Sequence, residues 1–534
     1  MSFVVPERER WALPPLLRER AAELGERPFL SFGVDDATAT YAEMDERTNR
    51  LAAGLAALGV RRGEGVLLML GNRLEFVLSW FALSKLGAPH VPVNIDYRGE
   101  FLEHLANTAQ ARVMVLEDRL LETVAASLPR LPQLRTLIVV GAAPPPLPGV
   151  DVRAFADVPL DAEPPAEEIG PADIGSIMFT SGTTGRSKGA LMPHASLHLL
   201  CERNGELLGM GRDSVYGSEL PLFHINAQMT VYGALISGAR ARLEERFSAS
   251  RWLERVRASG TTHTSMLGVM LEFVLAQPPS EGDHDHGLRS VWTVPCVPRT
   301  VDRFRERFGI ERLVTSYGTT EVGMVANRVV EPGAPASAGA VGHDFYEVAV
   351  ADPETDEPVS AGEAGEILVR PRLPWTTTRG YFGMPDRTAL AMRNLWFHTG
   401  DLGRFDEHGD LCFLDRLQDR IRRRGENVAS ADVEQVLSTH AAVAEAAVVA
   451  VAADEGGEDE IKACVVLAAD VSELDVAGFW AWCHERLPYF AVPRYLQVLD
   501  ALPKTPTEKV IKHELRERAG ATVFDRGPGG RARR

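Results

Sequence analysis

The chain has 534 residues, with 57 Lys plus Arg against 74 Asp plus Glu and a formal net charge of −17. A prior of ~150 residues per domain predicts three or four domain-sized units, and the hydrophobic content of 45% is typical of a globular protein. The acidic balance argues against a nucleic-acid partner, because proteins that coat nucleic acid present a basic surface to its phosphates.

The first third of the chain alternates helical and extended hydrophobic periodicities. The predicted elements are, in chain order, a helix at 41–58, a strand at 65–70, a helix at 73–86, a strand at 90–93, a helix at 101–111 and a strand at 112–116. This alternation predicts a mostly parallel sheet covered by helices. Residues 141–172 are rich in Pro, Ala and acidic residues, so we expect a surface connection there.

The pattern changes after residue 347. Residues 347–350 and 365–369 predict an antiparallel hairpin, and residues 404–415 predict a second one that turns at 406–409. A smaller α+β unit follows. Its predicted elements are strands at 446–451, 463–467 and 495–499 and a helix at 476–487.

The predicted fold class is therefore α/β. We expect a large N-terminal domain at 1–416, made of helix-covered sheets with a small β-hairpin or barrel region. A small α+β C-terminal domain is predicted at 417–524. The end of the chain, 525–534, is rich in Gly and Arg and is predicted to be a disordered tail.

The five cysteines are widely spaced and odd in number, and no two form a C-x-x-C pair. This pattern favours a reduced compartment over a disulfide framework or a cysteine zinc site. The first ten residues lack the basic-then-apolar order of a signal peptide. No uncharged apolar run approaches the ~18 residues of a membrane span. We expect a cytoplasmic protein with no membrane partner, and a homodimer is left open.

A predicted strand at 173–179 leads into the motif Thr180-Ser-Gly-Thr-Thr-Gly-Arg-Ser-Lys-Gly189. Its glycines let backbone N–H groups approach an anion, its hydroxyls donate hydrogen bonds, and Arg186 and Lys188 neutralise charge. It is not a Walker A loop, because Lys188 is followed by Gly189 rather than by Ser or Thr. Taken alone, the motif fits a phosphate-binding loop and a flexible surface loop about equally well.

Three further motifs follow in order: Ser316-Tyr-Gly-Thr-Thr-Glu321, Trp396-Phe-His-Thr-Gly-Asp-Leu-Gly403 and Pro503-Lys-Thr-Pro-Thr-Glu-Lys509. In order and spacing, the four motifs resemble those of the adenylate-forming superfamily of acyl-CoA synthetases, peptide-synthetase adenylation domains and luciferases. The resemblance extends over roughly residues 10–520. Residues 422–428 and 505–509 are most similar to ligases of the crotonobetaine/carnitine-CoA type.

The resemblance implies an AMP-forming acid–thiol ligase. Such an enzyme converts a carboxylic acid and ATP into acyl-AMP and pyrophosphate, and the CoA thiolate then displaces AMP. The implied cofactors are ATP and Mg²⁺, and CoA is the expected co-substrate. The resemblance also implies that the C-terminal domain is mobile and rotates about Gln418 between the two half-reactions.

The resemblance also assigns roles to individual residues. The cofactor-binding residues are Thr180, Ser181, Gly182, Thr183, Thr184, Gly185, Lys188, Tyr317, Gly318, Thr319, Asp401 and Arg416. Among these, Tyr317 would contact adenine, and Asp401 would accept both ribose hydroxyls with Arg416 as its partner. The implied catalytic residues are Thr320 at the α-phosphate, Glu321 as the Mg²⁺ ligand, and Lys509 between the attacking carboxylate and the α-phosphate. The implied substrate pocket contains His224, Asn226 and Gln228.

Two segments depart from the family pattern. Glu508 stands before Lys509, where the family usually has Gly, and could alter the local field. The stretch Val294-Pro-Cys-Val-Pro298 replaces a Gly/Ala/Pro segment whose backbone lines the adenine, and its prolines remove backbone donors.

The sequence leaves several alternatives open. Five arginines between 416 and 424 fit either a solvated face or a contact with CoA phosphates. Residues 283–286, Asp-His-Asp-His, fit a surface loop better than a metal site. The acid or the acceptor could differ: a carrier protein, an amine, or nitrite activated for diazotisation. A non-catalytic nucleotide-binding relative is disfavoured, because Lys509, Glu321 and Asp401 are all present.

Overall fold

The computed structural model describes residues 8–33, 38–159, 168–180, 187–417, 421–423, 426–428, 430–452, 459–469, 471–487, 491–504, 510–516 and 523–527. The chain divides into two compact units. The first unit comprises Met1–Val348 and Val369–Phe397, and the second comprises Ala349–Leu368 and His398–Arg534.

The strands of the described residues are, in chain order, β1 (Pro28–Phe32), β2 (Thr38–Thr40), β3 (Val66–Met69), β4 (His90–Pro92), β5 (Val113–Glu117), β6 (Thr136–Val140), β7 (Asp151–Ala154), β8 (Ile174–Thr180), β9 (Lys188–Pro193), β10 (Val215–Ser218), β11 (Arg240–Leu243), β12 (His263–Leu267), β13 (Ser290–Val294), β14 (Arg312–Thr319), β15 (Gly323–Val329), β16 (Ala340–Val341), β17 (Tyr346–Ala351), β18 (Gly365–Pro371), β19 (Phe397–Phe405), β20 (Leu411–Arg416), β21 (Ile421–Arg423), β22 (Glu426–Val428), β23 (Val443–Ala452), β24 (Asp459–Leu467), β25 (Tyr495–Leu499) and β26 (Val523–Asp525).

The α-helices of the same residues are α1 (Leu13–Leu24), α2 (Tyr41–Ala57), α3 (Leu74–Lys85), α4 (Glu100–Thr108), α5 (Leu121–Ser127), α6 (His194–Leu208), α7 (Ile225–Ser237), α8 (Trp252–Ser259), α9 (Gly268–Leu275), α10 (Pro298–Phe308), α11 (Pro385–Ala391), α12 (Ser430–Leu437) and α13 (Val476–Arg486). Short 3-10 turns lie at Arg8–Arg10, Asp118–Leu120, Leu128–Arg130, Phe155–Asp157, Arg393–Leu395 and Lys512–Leu515. Among the described residues, no helix has both the length and the apolar character that a membrane span requires.

Two large sheets form the framework of the first unit. The seven-stranded sheet has the order β7-β6-β5-β3-β4-β8-β9, and only its last pair, β8 with β9, is antiparallel. The nine-stranded sheet has the order β16-β15-β14-β13-β12-β10-β11-β1-β2, with parallel pairing from β14 to β1 and antiparallel strands at both edges. The helix-covered α/β architecture predicted from the sequence is present.

Strand β3 shows why the sheets fold as they do. Its four residues are all apolar and all buried. Val66 and Leu68 pack into the main hydrophobic core, whereas Leu67 and Met69 pack into a second core on the opposite face. A strand that is covered on both faces has no polar positions, so it reads as a continuous apolar run rather than an alternating one.

The predicted surface connection at 141–172 is wrong in one part. Residues Asp151–Ala154 form β7, which pairs in parallel with β6 at the edge of the seven-stranded sheet. Its side chains are exposed or half-buried rather than buried. An edge strand with no buried face has no apolar run, and this explains why its sequence resembles a loop.

The second unit contains most residues of the predicted β-rich elements. Strands β19 and β20 form the antiparallel hairpin predicted at 404–415, and they follow β17 and β18 in a four-stranded sheet. A second four-stranded sheet has the order β23-β24-β25-β26 and includes the predicted strands. Strand β26 extends into the predicted tail: Asp525 lies 3.0 Å from Arg494 in an ion pair. Residues 528–534 lie outside the described part of the chain.

Candidate active site

The predicted phosphate-binding motif sits between two antiparallel strands. Thr180 ends β8, Lys188 begins β9, and the two residues are cross-strand partners. They therefore flank the segment 181–186 on neighbouring strands. Residues 181–186 lie outside the described part of the chain, so the roles of Ser181, Gly182, Thr183, Thr184 and Gly185 stay predictions.

Glu321 lies at the turn between β14 and β15, and its side chain meets two hydroxyl groups. Thr180 Oγ1 donates a hydrogen bond of 2.9 Å to Glu321 Oε1. The hydroxyl of Tyr381 donates to the same oxygen at 3.2 Å. Glu321 is only 8% exposed. The fold thus brings the first residue of the first motif to the last residue of the second motif.

Tyr381 was not predicted from the sequence. It belongs to the segment 376–382, which runs along β9: Leu191 N donates to Gly380 O at 2.8 Å, and Phe382 N donates to Gly189 O at 2.8 Å. Burial raises the pKa of Tyr381, and the charge of Glu321 raises this pKa further. The phenol therefore stays protonated and acts as a donor to the carboxylate.

Lys188 places a cation beside this carboxylate. Its Nζ lies 4.4 Å from the centroid of the Tyr381 ring, over the ring face. Burial lowers the pKa of Lys188, and the nearby charge of Glu321 partly opposes that shift. A partly desolvated ammonium with a ring on one side is suited to an incoming anion, because its water shell is already incomplete.

The predicted adenine and α-phosphate residues lie at the end of β14. Tyr317 is buried, and a bulge interrupts the pairing of β14 with β15 between Tyr317 and Gly318. A Cβ atom at Gly318 would lie 2.0 Å from the backbone oxygen of Gly323, so only glycine fits there. Thr319 Oγ1 is buried and has no hydrogen-bond partner among the described residues. Thr320, next to Glu321, is half-buried.

The second unit contains the pair predicted for the ribose. Asp401 and Arg416 are cross-strand partners in the β19–β20 hairpin. Arg416 Nε lies 3.0 Å from Asp401 Oδ1, and the Asp401 side chain is 3% exposed. The ion pair named from the motif is therefore present, while its role toward ribose stays a prediction.

Two side chains, Glu366 and Thr399, hold the backbone around Asp401, and His398 contacts Glu366. Gly400 N donates to Glu366 Oε1 at 2.9 Å, and His398 Nδ1 lies 2.8 Å from Glu366 Oε2. Asp401 N donates to Thr399 Oγ1 at 3.1 Å. Within the described residues, Asp356, Glu366 and His398 form the group whose ligand atoms could converge on a metal ion. Two members of this group, His398 and Glu366, already contact each other directly through a hydrogen bond.

The Asp-His-Asp-His stretch at 283–286 is a loop, as favoured from the sequence. Asp283 Oδ2 pairs with Arg307 Nε at 2.7 Å, and Asp283 Oδ1 accepts from Ser280 Oγ at 2.8 Å. Its carboxylate is thus used in an ion pair that ties the loop to α10.

The three residues predicted to line the substrate pocket lie at the start of α7. His224 precedes the helix, and its ring centroid lies 4.7 Å from that of Phe223. His224 and Asn226 are half-buried. Gln228 is 1% exposed. Its Nε2 donates to Leu222 O at 2.9 Å, and its Oε1 lies 3.1 Å from His90 Nε2.

The segment 294–298, which departs from the family pattern, joins β13 to α10. Pro298 is the first residue of α10, where a missing N–H has no intrahelical partner to lose. Gln418, Glu508 and Lys509 lie outside the described residues, so the hinge and the catalytic lysine stay predictions.

Comparison with known proteins identifies the family. The model of the AMP-binding enzyme family matches residues 17–382, and that of its C-terminal domain matches residues 432–509. The crotonobetaine/carnitine–CoA ligase of Shigella dysenteriae serotype 1 is 33% identical over 487 residues, covering 89% of this chain and 93% of the relative. The enzyme of the same name from Escherichia coli O1:K1 is also 33% identical, over 492 residues, with the same coverage.

A solved structure has the same architecture over nearly the whole chain. O-succinylbenzoate coenzyme A synthetase from Bacillus subtilis, in complex with AMP, is 25% identical with a TM-score of 0.79. The match covers 94% of this chain and 98% of that one.

The chain belongs to the AMP-binding enzyme family. The α/β fold class and the enzyme class predicted from the four motifs, an AMP-forming acid–thiol ligase of the acyl-CoA synthetase type, are confirmed.

Proposed function

We propose that this ligase adenylates a carboxylic acid in a reaction that requires Mg²⁺ as well as ATP, and then transfers the acyl group to CoA through the residues named above. The observation that carries the proposal is the constellation of Thr180, Lys188, Glu321 and Tyr381. It brings the two residues that flank the Gly-rich segment 181–186 to a buried carboxylate, and one of the two, Lys188, is a partly desolvated cation. These are the elements that triphosphate binding needs.

The donor set suits Mg²⁺ and a phosphate. Glu321 offers the hard carboxylate oxygen that Mg²⁺ shares with phosphate oxygens. Lys188 would neutralise phosphate charge, and Thr319 Oγ1, buried without a partner among the described residues, is available to donate to a phosphate oxygen. When bound, Mg²⁺ would supply charge neutralisation at the triphosphate.

Lys509 is proposed to stabilise the charge that develops between the attacking carboxylate and the α-phosphate. A cation on a long flexible stem suits a role that is needed in one half-reaction only. We further propose that rotation about Gln418 removes Lys509 before CoA enters, and that Asp401, oriented by Arg416, accepts the ribose hydroxyls. A carboxylate suits a cis-diol because it only accepts hydrogen bonds.

The names of the curated relatives suggest the first acids to test. At 33% identity over most of both chains, carnitine and crotonobetaine are the leading candidates. His224 and Asn226 are proposed to line the acid pocket, and Gln228 is predicted to belong to the same region. A cytoplasmic location and a homodimer stay predictions.

A pyrophosphate-release screen tests the proposal. Purified enzyme, ATP and Mg²⁺ are incubated with carnitine, crotonobetaine, benzoate or anthranilate, each with and without CoA. We expect acid-dependent pyrophosphate release and, with CoA, an equal amount of acyl-CoA by mass spectrometry. Arms with an amine, or with nitrite plus an aryl amine, replace CoA. Product formation in those arms but not with CoA would overturn the assignment of the acceptor.

A further inference from the structure

Two side chains, those of Asn72 and Gln228, bond the backbone that precedes His224. The sequence motifs assign neither of them a positioning role. We define the pocket loop as residues 220–223, between β10 and His224. We infer that Asn72 and Gln228 are positioning residues that fix this loop and thereby the acid pocket. The inference rests on the proposed function, which places His224 and Asn226 at the acid.

Asn72 makes three hydrogen bonds from a single amide. Its Oδ1 accepts from Leu222 N at 2.7 Å, and its Nδ2 donates to Leu220 O at 2.8 Å and to Glu244 O at 2.7 Å. Asn72 is 9% exposed. Both amide hydrogens and the amide oxygen are therefore used on the main chain, a pattern that no other side chain of this size reproduces.

The position of Asn72 links the two large sheets. It follows β3 of the seven-stranded sheet, whereas its partners follow β10 and β11 of the nine-stranded sheet. All three contacts lie just beyond the carboxyl ends of parallel strands, which is where open α/β folds bind their ligands. A change in Asn72 is therefore expected to disturb a binding edge rather than the packing of one sheet.

Gln228 bonds Leu222, the same loop residue that Asn72 bonds. Its Nε2 donates to Leu222 O at 2.9 Å, so side chains bind both the N–H and the carbonyl of Leu222. The next link is His224 N, which donates to Pro221 O at 3.0 Å. The loop is thus fixed at the residues directly before His224. Since Gln228 is 1% exposed and its amide is used within the protein, it acts through the loop rather than on the acid.

Nearly isosteric variants test this role. Asn72→Asp turns two donor contacts into a carboxylate facing two carbonyl oxygens, and Gln228→Glu does the same toward Leu222 O. The acid is the one among carnitine, crotonobetaine, benzoate and anthranilate that supports the fastest pyrophosphate release in the wild-type enzyme. In each variant we expect the KM for that acid to rise at least tenfold while the KM for ATP changes less than twofold. A misplaced wall of the acid pocket weakens the binding of the acid, which contacts that wall, and not the binding of ATP.

Asn204→Asp is the matched control. Asn204 is a fully buried asparagine of α6 whose Oδ1 accepts from the Tyr216 hydroxyl at 2.7 Å, so its amide oxygen is bonded to a side chain of β10 rather than to the main chain of the pocket loop. We expect this variant to lower the urea midpoint without a selective change in the KM for the acid. Circular dichroism checks that all three variants fold.

The outcomes are separable. If the wild-type enzyme releases pyrophosphate but the folded Asn72 and Gln228 variants change both KM values equally, or neither, the inference is overturned and the proposed function stands. If one variant does not fold, the other decides. If the wild-type enzyme releases no pyrophosphate with any acid, the proposed function fails, and the positioning role fails with it.

Discussion

At the scale of single residues, Glu321 has the most closely defined surroundings in the candidate site. Two hydroxyls donate to one of its carboxylate oxygens, and the residue is almost fully buried. Both donors converge on Oε1, so they orient the carboxylate. Hydroxyl donors to a charged acceptor form stronger bonds than neutral pairs do, so this orientation is well defined.

The first prediction concerns the charge of Glu321. Glu321→Gln keeps the shape and an acceptor oxygen for Thr180 and Tyr381 but removes the anionic ligand for Mg²⁺. Interactions with a charged group are worth about 1.5–3 kcal/mol, so acid-dependent pyrophosphate release should fall at least tenfold and require more Mg²⁺. A Mg²⁺ titration of the release rate measures this effect.

Tyr381→Phe is the companion variant for Glu321→Gln, because it removes one neutral donor and leaves the carboxylate charged. Its effect on the Mg²⁺ requirement should be clearly smaller. An equal Mg²⁺ requirement in wild type and Glu321→Gln would argue that the carboxylate is structural.

The second prediction concerns Lys509. Lys509→Ala should slow acid-dependent pyrophosphate release by about 100- to 1,000-fold, because deleting one donor aimed at developing charge costs ~3–4 kcal/mol. Transfer to CoA from preformed acyl-AMP should be largely intact, since the lysine has no role in that half-reaction. Single-turnover assays of the two half-reactions on the same protein make the comparison internal. Equal damage to both would indicate a folding role for Lys509.

At the scale of elements, the sequence predicts best where one physical signal dominates. The helix predicted at 41–58 is α2, and the strand predicted at 495–499 is β25 with identical bounds. Both have clear hydrophobic periodicity and clear end signals. The edge strand β7 was missed because its side chains are not buried, and periodicity reports burial.

In the candidate site too, some residues could be identified from the sequence and others could not. Thr180, Glu321 and the Asp401–Arg416 pair were identified from motifs, and the structure brings Thr180 to Glu321 and Asp401 to Arg416. Tyr381 and Asn72 were not identified. Asn72 bonds main-chain atoms that are distant in sequence, and Tyr381 bonds the carboxylate of the distant Glu321. No local sequence pattern therefore marks either residue.

The third prediction concerns the start of α2. Thr40 and Glu43 form a reciprocal capping box: Glu43 N donates to Thr40 Oγ1 at 3.2 Å, and Thr40 N donates to Glu43 Oε2 at 2.8 Å. Thr40→Ala should destabilise the first unit by about 1 kcal/mol, because it leaves a helix N–H without its partner. Urea denaturation followed by circular dichroism measures the loss.

Thr38→Ala is the matched control for the cap. Thr38 is an exposed residue of the same strand, β2. We expect its effect on the urea midpoint to stay within the error of the measurement. Equal losses in the two variants would show that strand propensity, rather than capping, determines the result.

At the scale of the whole molecule, buried histidines, among them His90, His194 and His198, link the stability of the first unit to pH. Burial lowers the pKa of His90 and His194 to about 4 and that of His198 to about 3. Among the described residues, neither ring nitrogen of His194 has a hydrogen-bond partner. All three rings are therefore neutral in the folded protein near neutral pH, and protonating them there would place charge in the core.

The sign of the effect follows from where protons bind. An unfolded histidine takes up a proton as the pH falls below about 6.5. In the folded protein, His90 and His194 stay neutral until the pH falls to about 4. Their contribution to stability is thus complete above pH 6.5 and is lost as the pH falls from there toward 4. Each histidine should add a slope of about 1.4 kcal/mol per pH unit within that window.

The fourth prediction isolates one of these groups. His194→Leu should reduce the slope of unfolding free energy against pH by about 1.4 kcal/mol per unit between pH 6 and 5, whatever its effect on stability at pH 7. The slope of the variant is compared with that of the wild type because burial also raises the pKa of Glu219 to about 7. The contribution of Glu219 to the stability of the fold is lost as the pH rises, which is the opposite direction. Tryptophan fluorescence in urea follows the unfolding, and two of the eight tryptophans lie near buried histidines: Trp80 is 5.2 Å from His90 and Trp11 is 5.5 Å from His198, measured between ring centroids. If His194→Leu shows the wild-type slope, proton binding in the acid-unfolded protein involves other groups, and the buried histidines do not set the acid limit of this fold.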